Sequence, residues 1–303
     1  MQMGFGLPVS GAWATADNIR TVATAAERLG YRTLWSFQRL TVPVDEAGAP
    51  QLPPAYGSVL DPLLPLAYAA AVTDRIGLGT AIVNMPYQPP AVLAKGLASL
   101  DVLSGGRLLA GLGIGWLPDE FTAAGVPFPR RGDRAEDYLA CLAALWADDP
   151  VAYEGEFYTV PRSSFLPKPV QPGGPPILLG GAAPKALARA GRLTSGWISA
   201  SRADLTALGD SIEIVRQGAR DAGRDESALR FVCRGVVRGG ERTGPLTGTL
   251  DEVRADLPGL AAQGVTETFV DLNFDPAVGS PDVAPETAMR RAHEVLEALA
   301  PGA

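Results

Sequence analysis

Residues 76–116 read IGLGTAIVNMPYQPPAVLAKGLASLDVLSGGRLLAGLGIGW. An apolar strand is followed by a proline-broken loop, an apolar helix and a second strand that ends in alternating glycines. This order predicts a βαβ unit with two parallel strands. Because residues without a Cβ let a flat ring approach the backbone, the glycines favour a cofactor site, although relief of crowding in a packed barrel strand accounts for them equally well.

The same alternation of strand and helix patterns recurs along the whole chain. Apolar residues from Ile19 to Leu29 follow a helical period that Gly30 ends, and Thr249 with Glu252 forms a candidate capping box. Eight strands are predicted, at residues 3–8, 33–37, 76–84, 107–113, 177–180, 196–199, 231–237 and 268–272. Eight strands that alternate with helices predict an α/β fold, a (β/α)₈ TIM-type barrel.

Two long connections interrupt this repeat. Residues 38–60 form a loop rich in Pro and Gly after the second strand, and residues 151–176 contain a candidate hairpin and a proline tract. Loops of this length in a compact domain are usually functional or disordered. The first loop leaves the C-terminal end of a strand, so we expect it to cover the barrel mouth. No linker-like stretch divides the chain, so residues 1–303 are predicted to form one domain.

Composition restricts the compartment and the partners. The chain has a net charge of −7, no Lys/Arg cluster that would attract nucleic acid, and no apolar run long enough for a membrane span. Its first residues lack the basic flank of a signal peptide, and Cys141 and Cys233 show no metal or disulfide spacing. We expect a cytoplasmic protein with two buried thiols. The single histidine, His293, excludes a multi-histidine metal site.

One strand-to-helix turn has the features of a phosphate site. Small side chains leave its backbone N–H groups uncovered, and the dipole of the following helix points at them. An ordinary tight turn would contain the same residues. The turn consists of Gly180, Gly181, Ala182 and Ala183.

With these segments in view, the chain resembles the bacterial-luciferase-like superfamily. The resemblance runs through MGFGLP, AERLGYRTLW, LDPLLPLAYAAAVTDRIGLGTAIV, the glycine-rich βαβ unit with LPDEFTAAGVPFPRRGDRAEDYLACLAALW, and PKPVQPGGPPILLGG. It is strongest to the short single-chain members that use the deazaflavin coenzyme F420. It implies a TIM-type barrel with a flavin-like ring at its C-terminal mouth. It also implies a homodimer, in which the small-residue helix LLPLAYAAAVT could pack against its own copy.

The resemblance also assigns cofactor-binding positions. A bulge at the end of the third strand, often with a non-prolyl cis peptide bond, should lie behind the ring. A segment after the fourth strand should line the ring, and the turn after the fifth should bind the phosphate. The matching residues are Thr80, Ala81 and Ile82 for the bulge, Ile114, Gly115 and Trp116 for the lining segment, and Gly180, Gly181, Ala182 and Ala183 for the turn.

The chain departs from the family pattern after the second strand. Many members have an acidic residue and a histidine there, as in LWVSDH, but this chain reads LWSFQRL and places Gln38 and Arg39 at those positions. Neither side chain delivers a proton readily. We predict that one of them orients the substrate or stabilises developing negative charge, while the proton comes from solvent or Glu120. A loop-anchoring ion pair is the structural alternative for Arg39, and an exposed carboxylate is the alternative for Glu120.

The sequence therefore predicts an F420-dependent oxidoreductase that transfers hydride from the reduced deazaflavin to a C=C or C=N bond of a small organic substrate. An FMN-dependent monooxygenase or oxidoreductase of the same superfamily is the first alternative, and a non-catalytic cofactor-binding protein is the second. An apolar or aromatic substrate would suit a pocket walled by aromatic rings, although ordinary core packing explains each ring individually. These rings are Trp13, Phe37, Tyr56 and Phe165.

Overall fold

A computed structural model describes residues 1–302 of the chain. Strands and helices alternate from end to end. In chain order the strands are β1 (Gln2–Gly6), β2 (Thr33–Ser36), β3 (Gly77–Thr80), β4 (Val83–Asn84), β5 (Leu108–Gly113), β6 (Val151–Glu154), β7 (Thr159–Ser163), β8 (Ile177–Gly180), β9 (Gly196–Ile198), β10 (Arg230–Val236) and β11 (Glu267–Asp271). The α-helices are α1 (Ala16–Arg28), α2 (Leu63–Ala70), α3 (Pro90–Ser104), α4 (Pro118–Ala123), α5 (Arg131–Trp146), α6 (Pro184–Leu193), α7 (Leu208–Asp221), α8 (Leu250–Ala262) and α9 (Pro285–Ala298).

Eight of these strands close into a parallel barrel. They follow the order β3-β2-β1-β11-β10-β9-β8-β5, and pairing of β3 with β5 closes the ring. The predicted (β/α)₈ barrel is therefore confirmed, with strand ends within one or two residues of the prediction. The predicted third strand is divided into β3 and β4 by a bulge, where the peptide bond between Ala81 and Ile82 is cis. The predicted hairpin is also present as the antiparallel pair β6–β7.

Local sequence signals define the helix ends. The Thr15 side chain accepts a hydrogen bond from the Asn18 backbone N–H at the start of α1. The capping box of Thr249 and Glu252 is present at the start of α8, as predicted. Because the apolar faces of these helices pack on the outside of the barrel, the main core lies between the sheet and the helical ring.

The interior of the barrel is filled by a second, smaller core. Trp35 and Phe269 stack there with ring centroids 5.2 Å apart, and the Trp35 indole N–H donates to Glu267 Oε1 at 2.9 Å. Glu267 lies at the start of β11, so it sits toward the N-terminal end of the barrel. Burial raises the pKa of the Glu267 carboxyl. The opposite, C-terminal end remains available for a ligand.

Several composition-based expectations can be compared with the structure. Cys141 and Cys233 are both buried and unpaired, as predicted. Within residues 1–302, no helix has the length and apolar character that a membrane span requires. His293 is exposed on α9.

Candidate active site

A cavity of about 230 Å³ opens at the C-terminal mouth of the barrel. It lies where the C-terminal ends of six barrel strands meet, which is the usual location of active sites in this fold. The loop 38–60 also reaches it through Tyr56. The lining residues are Phe37, Gln38, Arg39, Tyr56, Ala81, Ile82, Asn84, Gly113, Ile114, Gly115, Trp116, Gly180, Gly181, Ile198, Ser199, Ala200, Ser201 and Arg234.

The bulge after β3 forms one wall of this mouth cavity. Thr80 is fully buried, and its hydroxyl donates to the Gly111 carbonyl at 2.7 Å, which ties the bulge to β5. A Cβ on Gly111 would lie 1.7 Å from the Thr80 carbonyl oxygen, and one on Gly113 would lie 1.9 Å from the Ile82 side chain. These two glycines therefore provide space for the bulge and not for a ligand. Relief of crowding, one of the two sequence interpretations, accounts for them.

Gly115 and Trp116 form the exit of β5. Gly115 has φ +71°, and a Cβ there would lie 2.7 Å from the Tyr87 hydroxyl and 2.8 Å from the Phe121 ring. Both the backbone conformation and the neighbouring rings thus require glycine at this position. Trp116 is 55 % exposed and lies at the rim of the cavity.

The turn after β8 has the geometry expected of an anion site. The Trp197 indole N–H anchors it by donating to the Gly181 carbonyl at 2.8 Å, and Gly181 has φ +140°. Ala183 is the N-cap of α6 and provides no side-chain cap. Pro184 at the first helical position has no N–H, and the Ala186 N–H donates to the Ala183 carbonyl at 2.8 Å, so only part of the first turn is left to other acceptors. Ala182 and Ala183 are exposed, so a phosphate placed against this turn would meet exposed backbone.

Ion pairs join α6, the helix that follows this turn, to α5. Arg189 and Arg192 of α6 both pair with Glu136 of α5, at 3.1 and 2.7 Å. The Nε atoms of Arg131 and Arg134 on α5 are buried and have no hydrogen-bond partner within residues 1–302. The same helix carries Asp133 and Asp137, so charges of both signs are present on it.

Arg39 and Glu120 form a buried ion pair beneath the loop 38–60. Their side chains are 6 % and 1 % exposed, and Arg39 Nη1 lies 2.7 Å from Glu120 Oε2. The Leu40 backbone N–H and the Tyr87 hydroxyl also donate to this carboxylate, at 2.7 and 2.9 Å. Glu120 is thus not an exposed carboxylate, because α4 turns it inward to meet Arg39. Three groups, the Arg39 guanidinium, the Leu40 N–H and the Tyr87 hydroxyl, thus converge on this carboxylate.

Tyr87 is held in its neutral form by the same arrangement. Burial, and then the adjacent Glu120 charge, raise the pKa of the Tyr87 hydroxyl. It therefore remains a hydrogen-bond donor to Glu120 at neutral pH and is a poor source of protons.

The Arg39 guanidinium retains unused hydrogen-bonding capacity. It lies between the rings of Tyr56 and Trp116, whose centroids are 4.5 and 5.1 Å from Cζ. Its Nη1 pairs with Glu120 Oε2 at 2.7 Å, and its Nε is buried without an acceptor in residues 1–302. The neighbouring Gln38 accepts from the Asn84 backbone N–H at 2.8 Å through Oε1, which leaves its amide N–H groups as donors.

A second buried arginine, Arg234, lines the mouth from β10. Its Nε and Nη2 both lie 2.7 Å from Asp271 Oδ2, and its Nη1 donates to the Ala81 carbonyl of the bulge at 2.9 Å. The rings of Phe37 and Phe274 lie on it, each 4.6 Å from Cζ. Sequence analysis missed this residue. A charge within the apolar strand FVCRGVV was the available signal.

The structure brings most of the predicted site residues together. Those that do not line the cavity are Thr80, Glu120, Ala182, Ala183, Trp13 and Phe165. Thr80 and Glu120 contact lining segments from behind, and Ala182 and Ala183 continue the turn. Trp13 is fully buried in the main core. Phe165 packs beneath Lys95 of α3, 4.2 Å from its Nζ, and so belongs to the outer helical ring.

Comparisons with known proteins agree with this geometry. The family model of luciferase-like monooxygenases matches residues 3–242. The chain belongs to this family. An uncharacterized protein of Mycobacterium tuberculosis is 36 % identical over 221 residues, which cover 70 % of this chain and 78 % of that protein.

Two further relatives show the range of the family. The F420-dependent hydroxymycolic acid dehydrogenase of M. tuberculosis is 28 % identical over 231 residues, which cover 75 % of this chain and 60 % of that protein. The crystal structure of monooxygenase RslO1 from Streptomyces bottropensis superposes with a TM-score of 0.78 at 24 % identity, and the match covers 99 % of this chain and 98 % of that one. The first of these proteins is F420-dependent, and the second is a monooxygenase that shares the fold of this chain.

Proposed function

We propose that this luciferase-like protein is an F420-dependent oxidoreductase that reduces a polarised C=C or C=N bond of a small organic substrate. The observation that carries the proposal is the mouth cavity itself. It lies between the bulge of Ala81 and Ile82 and the exit of β5, and it is continuous with the uncapped turn at Gly180 and Gly181. A flat ring with a phosphate on its side chain matches this shape.

Basic side chains on α5 and α6 favour F420 over FMN. F420 continues beyond its phosphate into an acidic glutamate tail, whereas FMN ends at the phosphate. Arg189 lies on α6, which begins at the turn, and Arg131 and Arg134 lie on α5, which ion pairs join to α6. The F420-dependent relative at 28 % identity supports the same choice.

The chemistry of the mouth favours reduction. When bound, a reduced deazaflavin supplies a hydride. The walls formed by the described residues contain no carboxylate and no histidine that could take a proton from an alcohol. Reduction needs no such base, because donors from Gln38 and Arg39 can polarise the acceptor oxygen or nitrogen while solvent supplies the proton. Glu120 then acts as the counterion of Arg39.

A hydride-transfer assay tests this proposal. Purified protein is mixed with reduced F420 and an α,β-unsaturated ketone, and formation of oxidised F420 is followed by its absorbance. We expect protein-dependent oxidation coupled to formation of the saturated ketone. Parallel reactions with reduced FMN and oxygen test the FMN alternative, and faster oxygen consumption there would replace the proposal. Cofactor binding with no transfer to any acceptor would favour the non-catalytic alternative.

We also propose a homodimer formed through α2. Leu64 and Tyr68 on this helix are 69 % and 37 % exposed. Apolar side chains of this size that share one exposed helix face are typical of a subunit contact. Sedimentation velocity should show a dimer for the wild type and a monomer for Leu64→Glu. A monomeric wild type would contradict the proposal.

A further inference from the structure

The only charged residues on the wall of the mouth cavity, within residues 1–302, are Arg39 and Arg234. Each is neutralised by a carboxylate that lies behind it. Arg39 pairs with Glu120, and Arg234 pairs with Asp271, both at 2.7 Å. Each carboxylate is 1 % exposed. The mouth therefore presents two cationic groups to a ligand but has no net positive charge.

Aromatic rings cover the faces of both guanidinium groups. Tyr56 and Trp116 flank Arg39, while Phe37 and Phe274 flank Arg234. Phe37, Tyr56 and Phe274 also contact one another, with centroids 5.1 to 6.3 Å apart. These rings thus form an apolar side of the mouth next to the two ion pairs.

The two arginines differ in the donors they keep. Arg234 uses its Nε, Nη1 and Nη2 atoms on Asp271 and the Ala81 carbonyl. Arg39 uses its Nη1 on Glu120, and the adjacent Gln38 keeps its amide N–H groups as donors. A neutral carbonyl oxygen on a ligand could accept a hydrogen bond from these N–H groups.

An anionic ligand would bind less favourably than a neutral one. Removing an ion from water costs several kcal/mol, and this cost is recovered only where an unmatched opposite charge is present. Glu120 and Asp271 already supply one negative charge for each arginine, so a carboxylate or phosphate on the substrate would leave the site with a net negative charge.

We propose that the mouth selects an uncharged conjugated carbonyl compound as the substrate and rejects organic anions of the same size. This inference rests on the proposed function. In the reaction, hydride adds to the β-carbon of the enone and a solvent proton adds to the α-carbon, so the C=C bond is reduced. The deazaflavin is oxidised and releases one proton to solvent, which balances the proton that is consumed.

The test uses two benzylideneacetones that differ only in a para carboxamide or a para carboxylate. Their dissociation constants are measured by calorimetry with the F420-loaded protein, after F420 binding has been verified on the same sample. We expect the carboxamide to bind at least about tenfold more tightly, which corresponds to about 1.4 kcal/mol. Equal binding, tighter binding of the carboxylate, or no binding of either compound would overturn the proposal. Failure of F420 itself to bind is a different outcome, which would overturn the proposed function.

Variants that remove a counterion make the test specific. Glu120→Gln leaves Arg39 without its carboxylate, and Asp271→Asn does the same for Arg234. In either variant the carboxylate compound should gain about tenfold in affinity, while the carboxamide changes by less than about threefold. Asp251→Asn is the control, because its exposed carboxylate pairs with Arg254 on the surface of α8. The same gain in the control variant, or no gain in either counterion variant that folds, would contradict the role of charge matching.

Discussion

The two ends of the barrel present arginines in opposite ways. At the N-terminal end, a cavity of about 940 Å³ is lined by four exposed arginines, of which Arg28, Arg32 and Arg75 have no ion-pair partner in residues 1–302 and Arg254 pairs with Asp251 at the surface. At the C-terminal mouth, a cavity of only about 230 Å³ is lined by Arg39 and Arg234, both buried and paired. Cavity size alone would select the wrong end.

The difference shows what distinguishes a site from a surface depression. Exposed arginines keep their hydration and cost the fold little, whereas a buried arginine remains only where a carboxylate and hydrogen-bond acceptors compensate its charge. The mouth combines such compensated groups with the uncapped helix and the aromatic walls. The larger cavity is open and lies at the N-terminal end of the barrel. Residues at that end generally contribute to stability, whereas active sites of this fold lie at the C-terminal end.

The largest expected effect is the loss of unfolding free energy when a buried ion pair at the mouth is broken. The comparison is the removal of an unpaired arginine at the other end. Arg234→Met leaves the buried Asp271 carboxylate without its cationic partner, so the free energy of unfolding should fall by about 3–5 kcal/mol. Arg75→Met removes an exposed charge and should change it by less than about 0.5 kcal/mol. Urea denaturation of both variants gives the comparison. Similar losses in the two variants would show that burial does not separate the two ends.

A smaller loss of stability is expected at the β5 exit. Gly115→Val places a β-branched residue at φ +71° and against Tyr87 and Phe121. Strain and overpacking of this kind cost about 1–3 kcal/mol each. Thermal unfolding and F420 affinity should be measured on the same preparation. A variant of normal stability that no longer binds F420 would show instead that this glycine is needed for close approach of the ring.

The phosphate turn can be tested without disturbing the backbone. Ala183→Asp adds a favourable N-cap to α6 and a negative charge at the proposed phosphate site. Thermal stability should stay the same or rise, while F420 affinity should fall about tenfold. Ala183→Asn is the matched control, because it provides the cap without the charge. Equal F420 affinity in the two variants would argue against a phosphate at this turn.

The smallest effect is expected from charge reversal at the opposite end. Arg32→Glu alters the larger cavity but lies at the far end of the barrel from the mouth. Its F420 affinity should stay within about twofold of the wild type, since exposed charges more than about 10 Å apart are largely screened. A loss comparable with that of Ala183→Asp would move the cofactor site to the N-terminal end.

Local patterns in the sequence predicted much of the fold. Strand alternation, the Thr249 capping box and the 151–160 hairpin depend on neighbouring residues, and all three are present in the structure. Partners that are distant in the chain could not be predicted in this way. Arg39 meets Glu120 across 81 positions, and Arg234 reaches the Ala81 carbonyl across 153. Only the closed barrel brings these groups together, which is why the pairing of Arg39 with Glu120 and the role of Arg234 were not foreseen.

The glycines of β5 illustrate the same limit. Their spacing marks the correct strand, but the sequence cannot tell whether a ligand or another backbone segment fills the space. The bulge of Thr80 and Ile82 fills it at Gly111 and Gly113. The ring-binding role proposed for this region rests on the cavity that remains beside the bulge.

A parallel fluorescence titration of the purified protein with F420 and FMN tests the central claim most directly. The basic side chains of α5 and α6 predict saturable binding of F420 at least about tenfold tighter than that of FMN. F420 binding should also weaken in Ala183→Asp and not in Ala183→Asn. Tighter binding of FMN, or no saturable binding of F420, would contradict the account.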